Sequence, residues 1–218
     1  VLGPIADAFL MHDRPIYRRV DDSVLQARNG DLLMIRRARG FVPSSIPLGM
    51  ETPRPILAVG GELKNTVALA TGTRAILSEH LGDLKDPAVY DHFQRAIHHL
   101  CGLFDIAPEV IACDLHPEYL SSQYANERLD LDLIQVQHHH AHVVSCMVEN
   151  GLSGPVVGIS ADGTGLGTDN AVWGGEILIA DRAGFTRAGH LDYFGLPGGD
   201  AAAKQTFRPA LGVLVQAF

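Results

Sequence analysis

One pattern is written twice in this chain. An apolar run stops at a glycine-rich turn and two more apolar runs follow, once from Ile56 and once from Val156. In the first copy Ile56-Leu57-Ala58-Val59 ends at Gly60-Gly61, and Thr66–Ala70 and Arg74–Ser78 follow, with Thr71-Gly72-Thr73 between them. In the second copy Val156–Ser160 ends at Asp162-Gly163-Thr164-Gly165-Leu166-Gly167-Thr168-Asp169, and Ala171–Leu178 and Phe185–Leu191 follow. Short apolar runs punctuated by glycine read as strands, and their recurrence reads as an internal structural duplication. Few folds satisfy that constraint, because each copy must bury its own sheet against helices supplied by the connections.

The remaining segments are placed around this frame. Pro4–Met11 is expected to be a short helix and Tyr17–Val20 a strand. Asn29-Gly30-Asp31 marks a hairpin between Val24–Ala27 and Leu32–Ile35. Residues 43–55 hold Pro43, Pro47, Pro53 and Pro55 with Ser44, Ser45 and Gly49, which reads as a linker and puts a domain boundary near Leu48. Asp86-Pro87 is a helix start, an N-cap followed by proline in the first turn. Tyr90, Phe93, Ile97, Leu100 and Phe104 give that helix one apolar stripe. Val110–Cys113 is a buried strand, Tyr119–Leu129 a helix and Leu131–Val136 a strand. A further helix is expected after Leu196-Pro197-Gly198-Gly199-Asp200.

Composition excludes several classes. With 218 residues, 46% apolar and 19% charged, the chain can bury a sizeable core. A net charge of -8 argues against nucleic-acid binding by phosphate neutralisation. No apolar run reaches membrane-spanning length. Cys101, Cys113 and Cys146 are odd in number and widely spaced, so they fit neither a disulfide framework nor a cysteine zinc site, and a reducing cytoplasmic setting is expected. The chain begins at Val1 and is expected to be part of a longer protein.

The chemistry concentrates in Gln137-His138-His139-His140-Ala141-His142, which holds four of the 11 histidines. A strand leads into it and a helix, Val143–Leu152, leads out. His138 and His142 at i and i+4 share one helix face, the spacing at which two imidazoles can hold one metal ion. A plain surface pair is the competing reading. Asp162 is the best third ligand in the chain, and two imidazoles with a carboxylate suit iron or zinc with an open position, with magnesium a further candidate. His139 and His140 point elsewhere and would support the ligands. His12, His116 and His190 read as structural, and Cys146 as a buried inert thiol. Gly60-Gly61 and Gly163, Thr164 and Gly165 could present backbone N–H groups to phosphate, although most such turns are plain hairpins. Arg36, Arg37 and Arg39 could grip a phosphate or carboxylate, or form a solvated basic edge.

The segments HDRPIYRRVDDSV, RRARGFVP, LAVGGELKNT, CDLHPEYLSSQYA, VQHHHAH, DGTGLGTDNAVWGGE and LPGGDAA together resemble the carbamoyltransferases of the Hyp set, which mature nickel–iron hydrogenases. The resemblance implies an α/β fold. Residues 1–48 would be the C-terminal tail of a YrdC-like domain. Residues 49–218 would be the N-terminal part of a Kae1-like domain of the ribonuclease H-like, actin-like ATPase class, truncated at both ends. It implies ATP and carbamoyl phosphate as substrates, carbamoyl adenylate as intermediate, and the C-terminal cysteine of a hydrogenase maturation protein as acceptor, with neither nucleic acid nor membrane as partner. His138, His142 and Asp162 would be catalytic metal ligands, with a further aspartate ligand beyond Phe218. Gly163, Thr164 and Gly165, with Gly198 and Gly199 of LPGGDAA, would bind nucleotide, and Arg36, Arg37 and Arg39 would belong to the YrdC-like side. O-carbamoyltransferases of small-molecule biosynthesis, tRNA threonylcarbamoyl transferases and a non-catalytic actin-like nucleotide switch are the rival readings.

Overall fold

The structure, a computed structural model, describes residues 3–199, 201–202 and 205–218. Near the N-terminus, β1 (Val24–Arg28) and β2 (Asp31–Arg36) form the expected hairpin, closed at Arg28↔Asp31. The two-residue turn needs positive φ twice, and Asn29 (53°) and Gly30 (89°) supply it. The segments before it depart from expectation. Residues 4–11 make a turn and then an irregular chain, and residues 17–20 form no strand. Leu10, Met11 and Tyr17 are exposed, so these short stretches bury no face that could offset the entropy of ordering a helix or strand.

Residues 43–55 are not a loose linker. β3 (Ser45–Ala58) runs through most of them and pairs antiparallel with β4 (Ala68–Leu77). The register shifts between Pro47 and Thr52 and again between Thr52 and Ile56. Proline lacks the N–H that a ladder needs, so the strand survives in broken form where its other side is open. The expected three-stranded meander is likewise corrected. Thr71-Gly72-Thr73 lies inside β4, with Gly72 at φ 56° opposite Thr52, so two expected strands are one irregular strand.

β5 (Val110–Asp114) adds parallel to β3, and β6 (Asp132–Val136) parallel to β5, giving the order β4-β3-β5-β6. α1 (Pro87–Phe104) crosses from β4 to β5, and α2 (Leu120–Asn126) from β5 to β6. α1 starts as its sequence dictates, with the Asp86 carboxylate accepting the Ala88 N–H at 2.8 Å and Pro87 in the first turn. Of its stripe, Phe93, Ile97 and Leu100 are buried against Leu57, Val59, Val67, Leu69, Ile76 and Ile111, while Tyr90 and Phe104 flank that core. Phe93 packs edge-on to Tyr124 of α2 at 5.1 Å.

α3 (His138–Glu149) then leads to a second sheet of order β11-β10-β7, all antiparallel, from β7 (Val156–Ser160), β10 (Glu176–Ala180) and β11 (Phe185–His190). Between β7 and β10 stands a small hairpin of β8 (Gly165–Leu166) and β9 (Val172–Trp173). Ala171–Leu178, expected as one strand, is split there because Gly174 turns tightly against the Gly163 carbonyl, where a Cβ would meet it at 2.5 Å. α3 packs Val143 and Met147 on Trp173, Leu178 and Ala180. Both halves therefore share a first strand, a glycine corner and an antiparallel partner, and the second half alone completes the three-stranded form. α4 (Phe207–Ala217) ends the chain. The expected helix start at Asp200 lies outside the described residues.

One buried charge ties the N-terminal segment to this core. Glu79 is 1% exposed, and Arg18 grips it through Nε at 3.0 Å and Nη2 at 2.5 Å, with His92 Nε2 at 3.2 Å. Burial pushes the carboxyl up, but the bonds from His92 and Arg18 outweigh it and bring it down to about 2. A carboxyl held below its unfolded value of 4.5 stabilises the fold above that pH and loses the contribution as pH falls through about 2. Denaturant midpoints should therefore drop between these two pH values, and Glu79→Gln should flatten that part of the profile. Phe93→Ala should cost about 3–5 kcal/mol in equilibrium unfolding, the usual range for removing a fully buried aromatic.

Candidate metal and phosphate site

Three parallel strands, β3, β5 and β6, deliver their carboxyl ends to one edge of the first sheet, which is where open α/β sheets place ligands. Beyond β3 comes Gly60-Gly61, at the end of β5 stands Asp114, and after β6 come Gln137 and α3. Gln137 caps that helix, its side-chain oxygen accepting the His140 N–H at 2.9 Å. His138 and His142 thus stand one turn apart on one face, ring centroids 4.8 Å apart and nearly perpendicular. The carboxyl end of β7 brings Asp162 to the same place. Its Oδ2 lies 2.8 Å from His138 Nε2 and 3.3 Å from His142 Nε2, and the two Nε2 atoms are 3.2 Å apart. One donor atom from each of the three residues falls within 4.8 Å of the others. The two imidazoles and one carboxylate named from the sequence are therefore brought together.

A fourth residue completes the arrangement and was missed in the sequence. Asp114 Oδ2 lies 2.6 Å from His138 Nδ1, while its Oδ1 accepts the His116 N–H at 2.9 Å. A carboxylate on Nδ1 fixes the tautomer that leaves Nε2 for a metal. The signal was there in Cys113-Asp114-Leu115-His116, an acidic residue ending a buried strand beside a strand that feeds histidines. The hydrogen bonds to Asp114 and then Asp162 raise His138 to about 9, against burial that would lower it. The bonds from His138 and His142 hold Asp162 well below the carboxylate range. A proton and a divalent ion would thus compete for the same atom, Nε2. The donor set fits such an ion, and the side chain of His142, 54% exposed, leaves the site open to solvent.

Two glycine corners press on His138. A Cβ on Gly61 would lie 3.9 Å from His138 Cε1, and one on Gly165 would lie 2.9 Å from His138 Cδ2 and 2.7 Å from His139 Cε1. Gly165 therefore has to lack a side chain for its turn to sit on the histidines. The turn is braced from behind. Trp173 Nε1 donates to Asp169 at 2.9 Å, and Arg187 stacks over Trp173 at 4.1 Å while bonding the buried Glu176 at 2.6 Å.

Other candidates lie elsewhere. His139 is fully buried, and burial lowers its pKa. His140 Nε2 lies 2.7 Å from the Asp181 carbonyl. Arg36 pairs with Asp21 at 3.7 Å, Arg39 with Asp22 at 3.3 Å, and Arg37 donates to the Phe41 carbonyl at 3.3 Å, all partners near the N-terminal hairpin. Gly198 and Gly199 form a turn before α4, with Arg208 beside Gly198. His12 Nδ1 accepts from Arg14 N at 3.1 Å, His116 stacks on Tyr119 at 4.3 Å, and His190 Nδ1 faces the Leu191 carbonyl at 2.7 Å. Cys146, expected to be buried, is exposed, because its position on α3 turns away from the sheet that covers Val143 and Met147.

Comparison with known proteins now bears on this geometry. A family model described as the HypF Kae1-like domain matches residues 51–149, and one described as the second subdomain of the carbamoyltransferase Kae1-like domain matches 158–218. The carbamoyltransferase HypF of Synechocystis sp. is 47% identical over the whole chain, and that of Rhizobium leguminosarum bv. viciae 47% identical over 98% of it. The chain belongs to the HypF family. It spans 28% of the length of each of these two relatives. A crystal structure of full-length HypF in the phosphate- and nucleotide-bound form superposes with a TM-score of 0.88 at 48% identity, covering 97% of this chain and 33% of that one. The crystal structure of T. kodakarensis HypF gives 0.89 at 39% identity, covering 100% of this chain and 28% of that one. The Kae1-like fold that the resemblance implied is thus the fold present. No helix among the described residues is long and apolar enough to cross a membrane.

If Asp114 is what holds the proton on His138, Asp114→Asn should move the His138 midpoint down from about 9 in an NMR titration of the chain prepared with chelator.

Proposed function

We propose that this chain carries the acyl-transfer half of a carbamoyltransferase. The observation that supports it best is the meeting of His138, His142 and Asp162 beside two glycine corners, with Asp114 behind His138. Residues 1–48 are assigned to the tail of a YrdC-like domain and 49–218 to the Kae1-like domain. The three ligands would hold iron or zinc, which when bound polarises a carbonyl and orients a nucleotide. Gly163, Thr164 and Gly165 present backbone N–H groups to phosphate oxygens, and Gly198 and Gly199 would join them on the nucleotide. Arg36, Arg37 and Arg39 are assigned to the YrdC-like side, where they would bind a phosphate or carboxylate group of the cofactor. Carbamoyl phosphate and ATP would supply carbamoyl adenylate. A thiolate from the C-terminal cysteine of a hydrogenase maturation protein attacks the carbamoyl carbon, the carbon–oxygen bond to the phosphate breaks, and AMP leaves with the electron pair. That thiocarbamate is the precursor of the cyanide ligands. The unpaired Cys101, Cys113 and Cys146 support a reducing, cytoplasmic setting.

An ATP-driven nucleotide switch on the same fold would need neither histidine, so metal content separates the two. The chain should take up one divalent ion, measured by elemental analysis after dialysis against zinc or ferrous iron, and His138→Ala with His142→Ala should abolish it. Labelled carbamoyl phosphate should mark a protein thiol when the full-length enzyme is used, and the 218-residue chain alone should not complete the reaction. Label on a tRNA or a sugar hydroxyl would overturn the acceptor.

A further inference from the structure

One side chain joins the two halves of the site and has no role in the chemistry above. Gln137 is buried, and its amide makes three contacts. The oxygen accepts the His140 N–H at 2.9 Å, which caps α3. The nitrogen donates to the Leu166 carbonyl at 3.1 Å and lies 3.1 Å from His139 Nδ1. Leu166 belongs to β8, directly after Gly165 in the glycine turn. His139 is fully buried under that turn, where a Cβ on Gly165 would meet its Cε1 at 2.7 Å, and its Nε2 has no hydrogen-bond partner among the described residues. An amide nitrogen can only donate, so His139 Nδ1 accepts from Gln137. A single amide therefore spans from the first turn of α3, which carries His138, to the backbone of the glycine turn.

We propose that Gln137 is a positioning residue that sets the spacing between the metal-ligating face of α3 and the phosphate-holding backbone at 163–167. The physical reason is that the two are carried by different units of the duplication. His138 follows the first sheet, and the turn follows the first strand of the second. Small rigid-body shifts between the units would open the distance from ligand to phosphate unless something polar and directional pinned it. The His138–Asp162 contact pins one end of the turn, and Gln137 pins the other. Asn or a shorter cap would satisfy His140 and fail to reach Leu166. The functional part of this inference rests on the reading of the site as a metal and nucleotide centre, whereas the clasp itself does not.

Two substitutions separate capping from clasping. Gln137→Glu keeps an oxygen for the His140 N–H and removes the donor to Leu166, while Gln137→Met removes both. Hydrogen exchange of the ligand-free 218-residue chain reads the clasp through the β8–β9 hairpin, whose Leu166 carbonyl Gln137 holds and whose own amide bonds loosen when that hold is lost. In Gln137→Glu the amides of Leu166 and Gly167 should exchange about tenfold faster, the loss of one buried hydrogen bond, with those of α3 unchanged. In Gln137→Met both sets should quicken. Calorimetry with ATP on the zinc-loaded chain reads the consequence, a Kd about tenfold weaker in Gln137→Glu at unchanged zinc content. Unchanged exchange at Leu166 and Gly167 in Gln137→Glu overturns the proposal, as does faster exchange in α3, which would make the residue a cap alone. If the parent chain binds no ATP, the nucleotide reading of the site fails while the exchange data still decide the clasp.

Discussion

His138 is held from both sides by carboxylates, Asp114 at 2.6 Å on Nδ1 and Asp162 at 2.8 Å on Nε2, and the rest of the site is arranged around that contact. The two aspartates come from different sheets. Asp114 ends β5 in the first, and Asp162 follows β7 in the second. An imidazole between the buried Asp114 carboxylate and the half-buried Asp162 carboxylate keeps its proton up to about pH 9 unless a cation replaces it. The same bonds that raise His138 also fix its ring, and they tie the two units of the duplication at the proposed site.

The packing explains why such a contact can be maintained. α3 is shared by both units, since its first turn caps the parallel strands of the first sheet while Val143 and Met147 form the core of the second. Gly158 lets β7 approach so closely that a Cβ there would meet Val143 at 2.4 Å. Gly165 does the same for the histidine rings. Close approach at glycine, rather than any single strong bond, brings the turn within reach of α3. The Arg187, Trp173, Glu176 and Asp169 cluster then stiffens the far side of the turn, away from His138.

Legibility in the sequence followed the strength of local signals. The Asn29-Gly30 turn, the Asp86-Pro87 helix start, the buried strand at Val110 and the His138–His142 spacing are local rules, and each held. Where the sequence reading departed from the structure, a tertiary partner decided. Pro47, Pro53 and Pro55 sit in a strand because β4 offers a ladder with gaps. Gly72 does not end a strand because Thr52 pairs across it. Pro4–Met11 does not form a helix because nothing covers it. Asp114 escaped notice because an acidic residue at a strand end has a bland local reading, and its partner is 24 residues away.

The sequence by itself determined the repeated strand and glycine-turn pattern and which three residues could ligate a metal, because periodicity, glycine turns and i,i+4 spacing act over a few residues, and its motif segments carried the resemblance that implied the Kae1-like fold class. Tertiary structure alone decided that Asp162 reaches both histidines, that Asp114 fixes the His138 tautomer, and that Gln137 spans to Leu166. Those contacts depend on parallel strands sharing one edge and on two sheets meeting across α3, a geometry set by packing over the whole chain.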